Sequence, residues 1–208
     1  MAVSIQAYLD AACAALSPQR PLLDSIRDIN TRFLRAVGEA ATAGTYETAP
    51  DLGAAAPLFQ SLTPAAIESA SRFPFLLLDL GMATAGSLSA LAKRSPGVRD
   101  IERPLARTDY EAIVRSALVV SWLAARTDNT AALLLFDLSP EIAQELATLP
   151  LHEVEALALP CASPLTLRWR SNASLWQELL NPDAFESVDV VRGFVMHAVQ
   201  LTATTHLK

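Results

Sequence analysis

Apolar residues in the first part of the chain recur every three or four positions between Pro21 and Gly44. The residues that keep this spacing are Leu22, Ile26, Ile29, Phe33, Leu34 and Val37. Such spacing puts them on one face of an α-helix, and Gly44 is a typical helix stop. A similar stripe returns over 108–126, through Tyr110, Ile113, Val114, Ala117, Leu118 and Leu123. With only seven glycines, the chain is predicted to be an all-α, multi-helix orthogonal bundle.

The same reasoning divides the chain into elements. Helices are predicted over 3–15, 21–43, 65–72, 74–81, 83–93, 108–126, 129–136, 140–149, 150–159, 173–180 and 184–206. Thr63 and Thr108 or Asp109 are the predicted caps of two of them. Loops are predicted over 44–61 and 94–107, which contain Gly, Pro and charged residues without periodicity. Thr166 to Arg170 alternates in polarity, so at most one short hairpin or strand is expected there.

Two segments of the chain resemble each other. Leu62-Thr63-Pro64 leads to Phe73-Pro74, and Leu138-Ser139-Pro140 leads to Leu149-Pro150, with the same distance between the prolines. Each segment is predicted to form a helix, a tight turn and a second helix. We therefore expect one compact helical domain over 1–208 with two internal halves, 20–95 and 108–206. Chance similarity is the alternative, because a hydroxyl residue before proline is a common helix opening.

Charge and cysteine content exclude several classes of protein. The net charge is −6, whereas a protein that binds nucleic acid by itself usually has a basic face. Cys13 and Cys161 are isolated, which is typical of the reducing cytoplasm. The longest apolar runs, ending at Asp79 and Asp137, are far shorter than a membrane span. The first residues lack the basic region of a signal peptide. A cytoplasmic protein without membrane contact is expected.

Catalytic and cofactor motifs are missing from the sequence. His152-Glu153 begins like the zinc motif of metalloproteases, but Ala156 stands where the second histidine is required. No phosphate-binding glycine loop and no nucleophile elbow occurs. Asp24 and Asp28 lie one helical turn apart, which suits a helix N-terminus better than a metal site. The prediction is a non-enzymatic protein without metal or cofactor.

The most informative polar segment is Arg168-Trp169-Arg170. Arginine beside tryptophan suits a phosphate, a nucleobase or a partner protein. These three residues, together with His152 and Glu153, are the candidate binding residues for a protein partner or nucleic acid. The alternative is structural: an arginine stacked on the tryptophan at the rim of the core.

From about residue 109 to 180 the chain resembles FlhD, the flagellar master transcriptional regulator subunit. The resemblance is carried by Ser121 to Arg126, by Leu134 to Leu151, by Leu167 to Arg170 and by Leu175 to Leu180. Separately, Asp28-Ile29-Asn30 is similar to the start of the family's first helix. The chain is about twice as long as members of that family, which would be natural if it held two FlhD-like units.

The resemblance implies a dimeric transcriptional regulator that works with a second, zinc-bearing subunit. The helix that would read DNA, 151–157, contains Glu153 and Glu155 but no Arg or Lys, so donors to bases and phosphates are lacking. We therefore expect a regulatory or scaffolding protein that acts through a protein partner or as a homodimer, and contacts DNA only indirectly. The alternatives are a small-ligand-binding protein or unrecognised enzyme with a pocket near Trp122, Trp169 and His152, and direct DNA binding.

Overall fold

A computed structural model describes residues 20–42, 52–82, 87–92, 104–161, 166–183 and 193–200. The helices in chain order are α1 (Arg20–Thr42), α2 (Ala56–Phe59), α3 (Pro64–Ser71), α4 (Leu88–Ala92), α5 (Pro104–Thr127), α6 (Asn129–Phe136), α7 (Pro140–Thr148), α8 (Leu151–Ala156), α9 (Ala158–Cys161), α10 (Ala173–Leu179) and α11 (193–200). A 3₁₀ turn, Gly53–Ala55, precedes α2. The strands β1 (Leu78–Asp79) and β2 (Thr166–Leu167) pair antiparallel. The predicted all-α class with one short strand pairing is confirmed.

Helix α5 is the centre of the bundle and packs against α1, α6, α7, α8 and α9. Its predicted core face is buried from Tyr110 to Leu118. Helix α1 buries its predicted core residues from Ile26 to Val37 against α5 and α3, whereas Leu22 is only partly buried. Leu123 is the exception, because its side chain is 53% exposed although it was predicted to be core. Within the described residues, no helix has both the length and the apolar character that crossing a membrane requires.

Hydroxyl caps start α3 and α7 where the sequence indicated. The side chain of Thr63 accepts from the N–H of Ala66, with Pro64 in the first position of α3. Ser139 accepts in the same way from Ile142 at the start of α7. The side-chain oxygens thus satisfy amides that have no partner inside the helix.

Several predicted boundaries were wrong. Helix α5 begins at Pro104 rather than at 108, since proline tolerates the first turn of a helix, so Thr108 and Asp109 are not its caps. The segment predicted as one helix over 150–159 is two short helices, α8 and α9. The predicted loop 44–61 contains the 3₁₀ turn and α2. The helix predicted over 3–15 lies outside the described residues.

The largest difference lies after Pro74, where a helix was predicted and the chain instead passes through bends into β1. We call residues 73–78, which run into this strand, the extended segment. Proline disfavours the helical conformation of the preceding residue, and Phe75 to Leu78 are all buried. A run that is apolar on every side suits a buried strand as well as a helix. The internal repeat therefore holds for α3 and α7, but α8 has no counterpart after Pro74. The two predicted halves remain a prediction.

The extended segment crosses the core, so its backbone groups need partners. Asn30 of α1 supplies three: its Nδ2 donates to the carbonyls of Phe75 (2.9 Å) and Phe73 (3.4 Å), and its Oδ1 accepts from the N–H of Leu77 (2.9 Å). The N–H of Leu76 donates to the carbonyl of Leu135 at 2.8 Å. A fully buried asparagine thus fastens an irregular segment to a helix.

We expect Asn30→Ala to lower the free energy of unfolding by about 3 kcal/mol or more, because it leaves buried backbone groups unsatisfied. The measurement is urea denaturation followed by circular dichroism. The matched control is Thr31→Ala, whose hydroxyl bonds only the carbonyl of Arg27 in its own helix; its effect should stay within about 0.5 kcal/mol. Equal losses in the two variants would contradict the role of Asn30.

Candidate functional site

The predicted binding residues lie on different elements and in different environments. Arg168, Trp169 and Arg170 form the turn that follows β2. His152 and Glu153 lie in the first turn of α8, on the surface. Arg168 is buried, with 2% of its surface exposed, whereas Arg170 is exposed. Of the two arginines in this turn, Arg168 is therefore a buried charge and Arg170 a surface residue.

The guanidinium of Arg168 binds backbone carbonyls. Its Nη1 donates to Leu135 (3.0 Å) and, at 3.5 Å, to Leu76, and its Nη2 donates to Leu134 (3.1 Å). Leu134 and Leu135 belong to the last turn of α6, where carbonyls lack partners within the helix. Arginine supplies this end of α6 with the donors and the positive charge that a helix C-terminus favours. The same side chain ties the extended segment to α6.

Aromatic rings surround this guanidinium. Its central carbon lies 4.4 Å from the centroid of Trp169 and 5.5 Å from that of Phe75. Trp169 has a φ of 53° and contacts Phe73 and Phe75 edge-on, with centroids 6.0 Å apart in both pairs. A left-handed conformation is unusual for so large a residue. The structural alternative for this segment, an arginine stacked on tryptophan, is the arrangement observed, and it leaves Arg168 no surface for a phosphate.

Two carboxylates accompany the buried cation. Asp137, in the left-handed conformation at the end of α6, places its Oδ1 3.7 Å from Nη2 of Arg168. Asp79 of β1 accepts from the N–H of Gly81 at 2.7 Å. Neither aspartate was predicted, although each stands at the end of an apolar run, where a buried charge partner could have been sought.

Burial dominates the titration of this cluster. It raises the pKa of Asp79 above its usual value, and the negative charge of Asp137 adds to the rise. The Gly81 amide, the Arg168 charge and a hydrogen bond with Thr166 oppose it. Burial also lowers the pKa of Arg168. The negative charges of Asp137 and Asp79 oppose this and favour the charged guanidinium. The cluster has the chemistry of a structural ion network rather than of an accessible catalytic centre.

Two exposed leucines lie on the neighbouring helices α5 and α8, which pack against each other. We define the α5–α8 surface as Trp122, Leu123, Arg126, Leu151, His152 and Glu153. Leu123 and Leu151 are 53% and 44% exposed. The indole N–H of Trp122 donates to the carbonyl of Leu149 at 3.0 Å, and the guanidinium of Arg126 lies 4.8 Å from the Trp122 ring. Exposed leucines beside a tryptophan and an arginine are typical of protein contacts.

His152 and Glu153 border this surface. The side chain of His152 is 80% exposed, and its Nε2 lies 3.9 Å from Oε1 of Glu153. Arg170 is exposed elsewhere, and its carbonyl accepts from the N–H of Ala54 at 3.0 Å. That contact requires glycine at position 53, because φ there is 53° and a side-chain Cβ would lie 2.7 Å from the carbonyl oxygen of Arg170. The five predicted site residues thus do not converge on one point.

A groove of about 400 Å³ runs between α1 and α5. Its lining consists of Asp24, Ser25, Asp28, Ile29, Ser116 and Val120. Asp28 faces Arg32, with 3.9 Å between Oδ2 and Nη1. Trp122, Trp169 and His152 do not line this groove, so it is not the pocket that the small-ligand alternative predicts. Over the described part of the chain, no three His, Cys, Asp or Glu side chains cluster so that they could hold a metal ion.

Comparisons with models of protein families, with curated proteins and with solved structures found no match to this chain.

We expect Arg168→Met to lower the free energy of unfolding by about 3–5 kcal/mol, because it strands buried carboxylates and the carbonyls of α6. Arg168→Lys should restore only part of this, since one ammonium cannot reproduce the fork of donors. Arg170→Met, two positions away and exposed, is the control and should change stability by about 0.5 kcal/mol or less. A stable, fully folded Arg168→Met protein would contradict the structural role.

Asp79→Asn should stabilise the protein at neutral pH. The folded-state pKa of Asp79 lies above the unfolded value of about 3.9, so the folded chain holds this proton more tightly. The contribution of Asp79 is therefore favourable below pH of about 4 and is lost as the pH rises through the folded pKa. Urea denaturation from pH 3 to 8 should show a gain for the variant that disappears at the acid end. A gain independent of pH would refute the assignment.

Proposed function

We propose that this chain is a non-enzymatic regulatory or scaffolding protein that acts by binding a protein partner, as an FlhD-like transcription regulator subunit would. The observation that carries the proposal is the α5–α8 surface, where Leu123 and Leu151 are exposed beside Trp122. Two half-exposed leucines on adjoining helices add apolar area that water contacts unfavourably and that a partner could cover.

The chemistry around these leucines favours a protein over DNA. Glu153 and Glu155 are exposed on α8, which is the second helix of the α7–α8 pair. Acidic side chains repel phosphates, and base edges in the major groove are read mainly by Arg, Lys, Asn and Gln. Arg168, one of two arginines considered for phosphate contact, is buried. A role in transcription would therefore be exerted through a partner that itself contacts DNA.

The absence of a recognised catalytic motif in the sequence agrees with a binding role. The titratable residues that burial perturbs, Asp79 and Arg168, hold the extended segment and the end of α6 together. Cytoplasmic localisation and the choice between a homodimer and a different partner belong to the same proposal. The choice of partner depends on what covers Leu123 and Leu151.

The test is site-specific photo-crosslinking in cells with benzoylphenylalanine in place of Leu123, of Leu151 or, as control, of the exposed Glu39 on α1. We expect discrete adducts from the first two positions and none from the third, with the partner read by mass spectrometry. An adduct of two copies of this chain would identify a homodimer. No adduct at either leucine, with a monomer by light scattering, would refute the proposal.

A further inference from the structure

Each of the seven buried residues of α1 has a buried counterpart in α5 at a constant step along the chain. The pairs are Ile26 and Tyr110, Ile29 and Ile113, Asn30 and Val114, Phe33 and Ala117, Leu34 and Leu118, Val37 and Ser121, and Ala41 and Ala125. The two long helices, which pack against each other, thus present the same face to the core.

The elements that follow also correspond. Thr63 and Ser139 cap α3 and α7, each with proline in the first helical position. Strands β1 and β2 pair with each other, Leu78 with Leu167 and Asp79 with Thr166, which is how a twofold axis pairs two copies of one strand. Two residues beyond each strand, Gly81 and Trp169 both have a positive φ, 65° and 53°.

The contacts between the two halves are reciprocal. Helix α4 of the first half packs on α7 of the second, and α10 of the second half packs on α3 of the first. Glu145 of α7 accepts from the N–H of Leu88 at 2.9 Å, and the hydroxyl of Ser69 of α3 donates to the carbonyl of Asn181, just after α10, at 2.9 Å. Ser69 and Glu145 occupy the same position of α3 and α7, although Glu145 bonds the start of α4 and Ser69 the chain after the end of α10. This is the exchange of elements found in intertwined dimers, here within one chain.

Two differences break the correspondence. Before the capped helices, the first half has the 3₁₀ turn and α2 where the second half has α6, and the step between the halves falls by eight residues there. Between α7 and β2 the second half contains α8 and α9, whereas the first half passes from α3 directly into the extended segment. The long helices differ at the same place. Trp122, which holds the carbonyl of Leu149 before α8, stands where α1 has Gly38. A Cβ at Gly38 would lie 3.2 Å from Cδ2 of Leu62, so the first half leaves no room for a tryptophan.

The residue that follows Trp122 in α5 also differs from its counterpart in α1. Leu123 is half exposed, and its counterpart on α1 is the exposed Glu39. An exposed leucine therefore occurs in the half that carries α8, and a charged residue occupies the same position in the other half. The α5–α8 surface is built from these second-half residues and the inserted helix.

We propose that the chain is a covalent pseudo-dimer with a single partner site, the α5–α8 surface, which takes one protein segment whose apolar side chains are flanked by Lys or Arg. This inference rests on the proposed function. Charge complementarity selects the occupant: Glu153 and Glu155 are exposed around Leu151, the cation Arg126 is stacked on Trp122, and the chain carries a net charge of −6. A second copy of this chain would bring like charges together at the same surface.

The test is isothermal titration of the full chain with a synthetic amphipathic helix of leucine and lysine. We expect one peptide per chain. Leu123→Ser, which removes the apolar side chain without adding a charge that would attract the lysines, should weaken binding about tenfold or more and leave the unfolding midpoint in urea unchanged. The matched control is Glu39→Leu, which should neither weaken binding nor create a second site. A peptide of leucine and glutamate in the same pattern should not bind.

The outcomes separate the two proposals. Two equivalent sites per chain, or equal losses from Leu123→Ser and from Glu39→Lys, would overturn the single site and leave a protein-binding function standing. Failure of the leucine–lysine peptide to bind the folded chain, or equal binding of the leucine–glutamate peptide, would overturn the assigned occupant. The crosslinking experiment decides independently whether the surface meets any protein.

Discussion

The fold depends on how an extended segment is buried inside a helical protein. Helices satisfy their own backbone, but the residues from Phe73 to Leu78 cannot do so and also cannot reach water. Two side chains solve this from opposite sides. Asn30 bonds one set of backbone groups, and Arg168 bonds another while its own amide donates to the carbonyl of Leu77. Helices α1 and α6 and strand β2 are positioned relative to one another through this segment.

Using an arginine for this purpose has electrostatic consequences. A buried guanidinium is expensive to desolvate unless it is paired and hydrogen-bonded. Here carbonyls at the end of α6 share the charge with Asp137, and Trp169 covers its face. The second carboxylate, Asp79, is itself desolvated: burial raises its pKa, and the positive charge of Arg168 opposes that rise. The result is a specific arrangement of β2 against the core, which a purely apolar contact would define less sharply.

Much of this architecture could be predicted from the sequence, because helical spacing and proline caps are local signals. The face of α1 and the starts of α3 and α7 follow directly from them. The extended segment could not be predicted in this way, since a run that is apolar on all sides has no hydrophobic periodicity to distinguish strand from helix. Leu123 is five residues after Leu118, about 140° around the helix, so it leaves the buried face, which continues through Ala124 and Ala125. The burial of Arg168 depends on the distant Leu134 and Leu135, which no local pattern connects to it.

The pairing of β1 with β2 also constrains how the protein is made. On a ribosome, Leu78 and Asp79 emerge long before Leu167 and Thr166, and the helix that supplies Leu135 follows only in between. Contacts between residues so far apart in sequence slow folding, and a hydrophobic stretch that waits for its partner is prone to aggregate. The first half thus cannot close its core during its own synthesis. Completion of the fold is postponed until most of the polypeptide has left the exit tunnel.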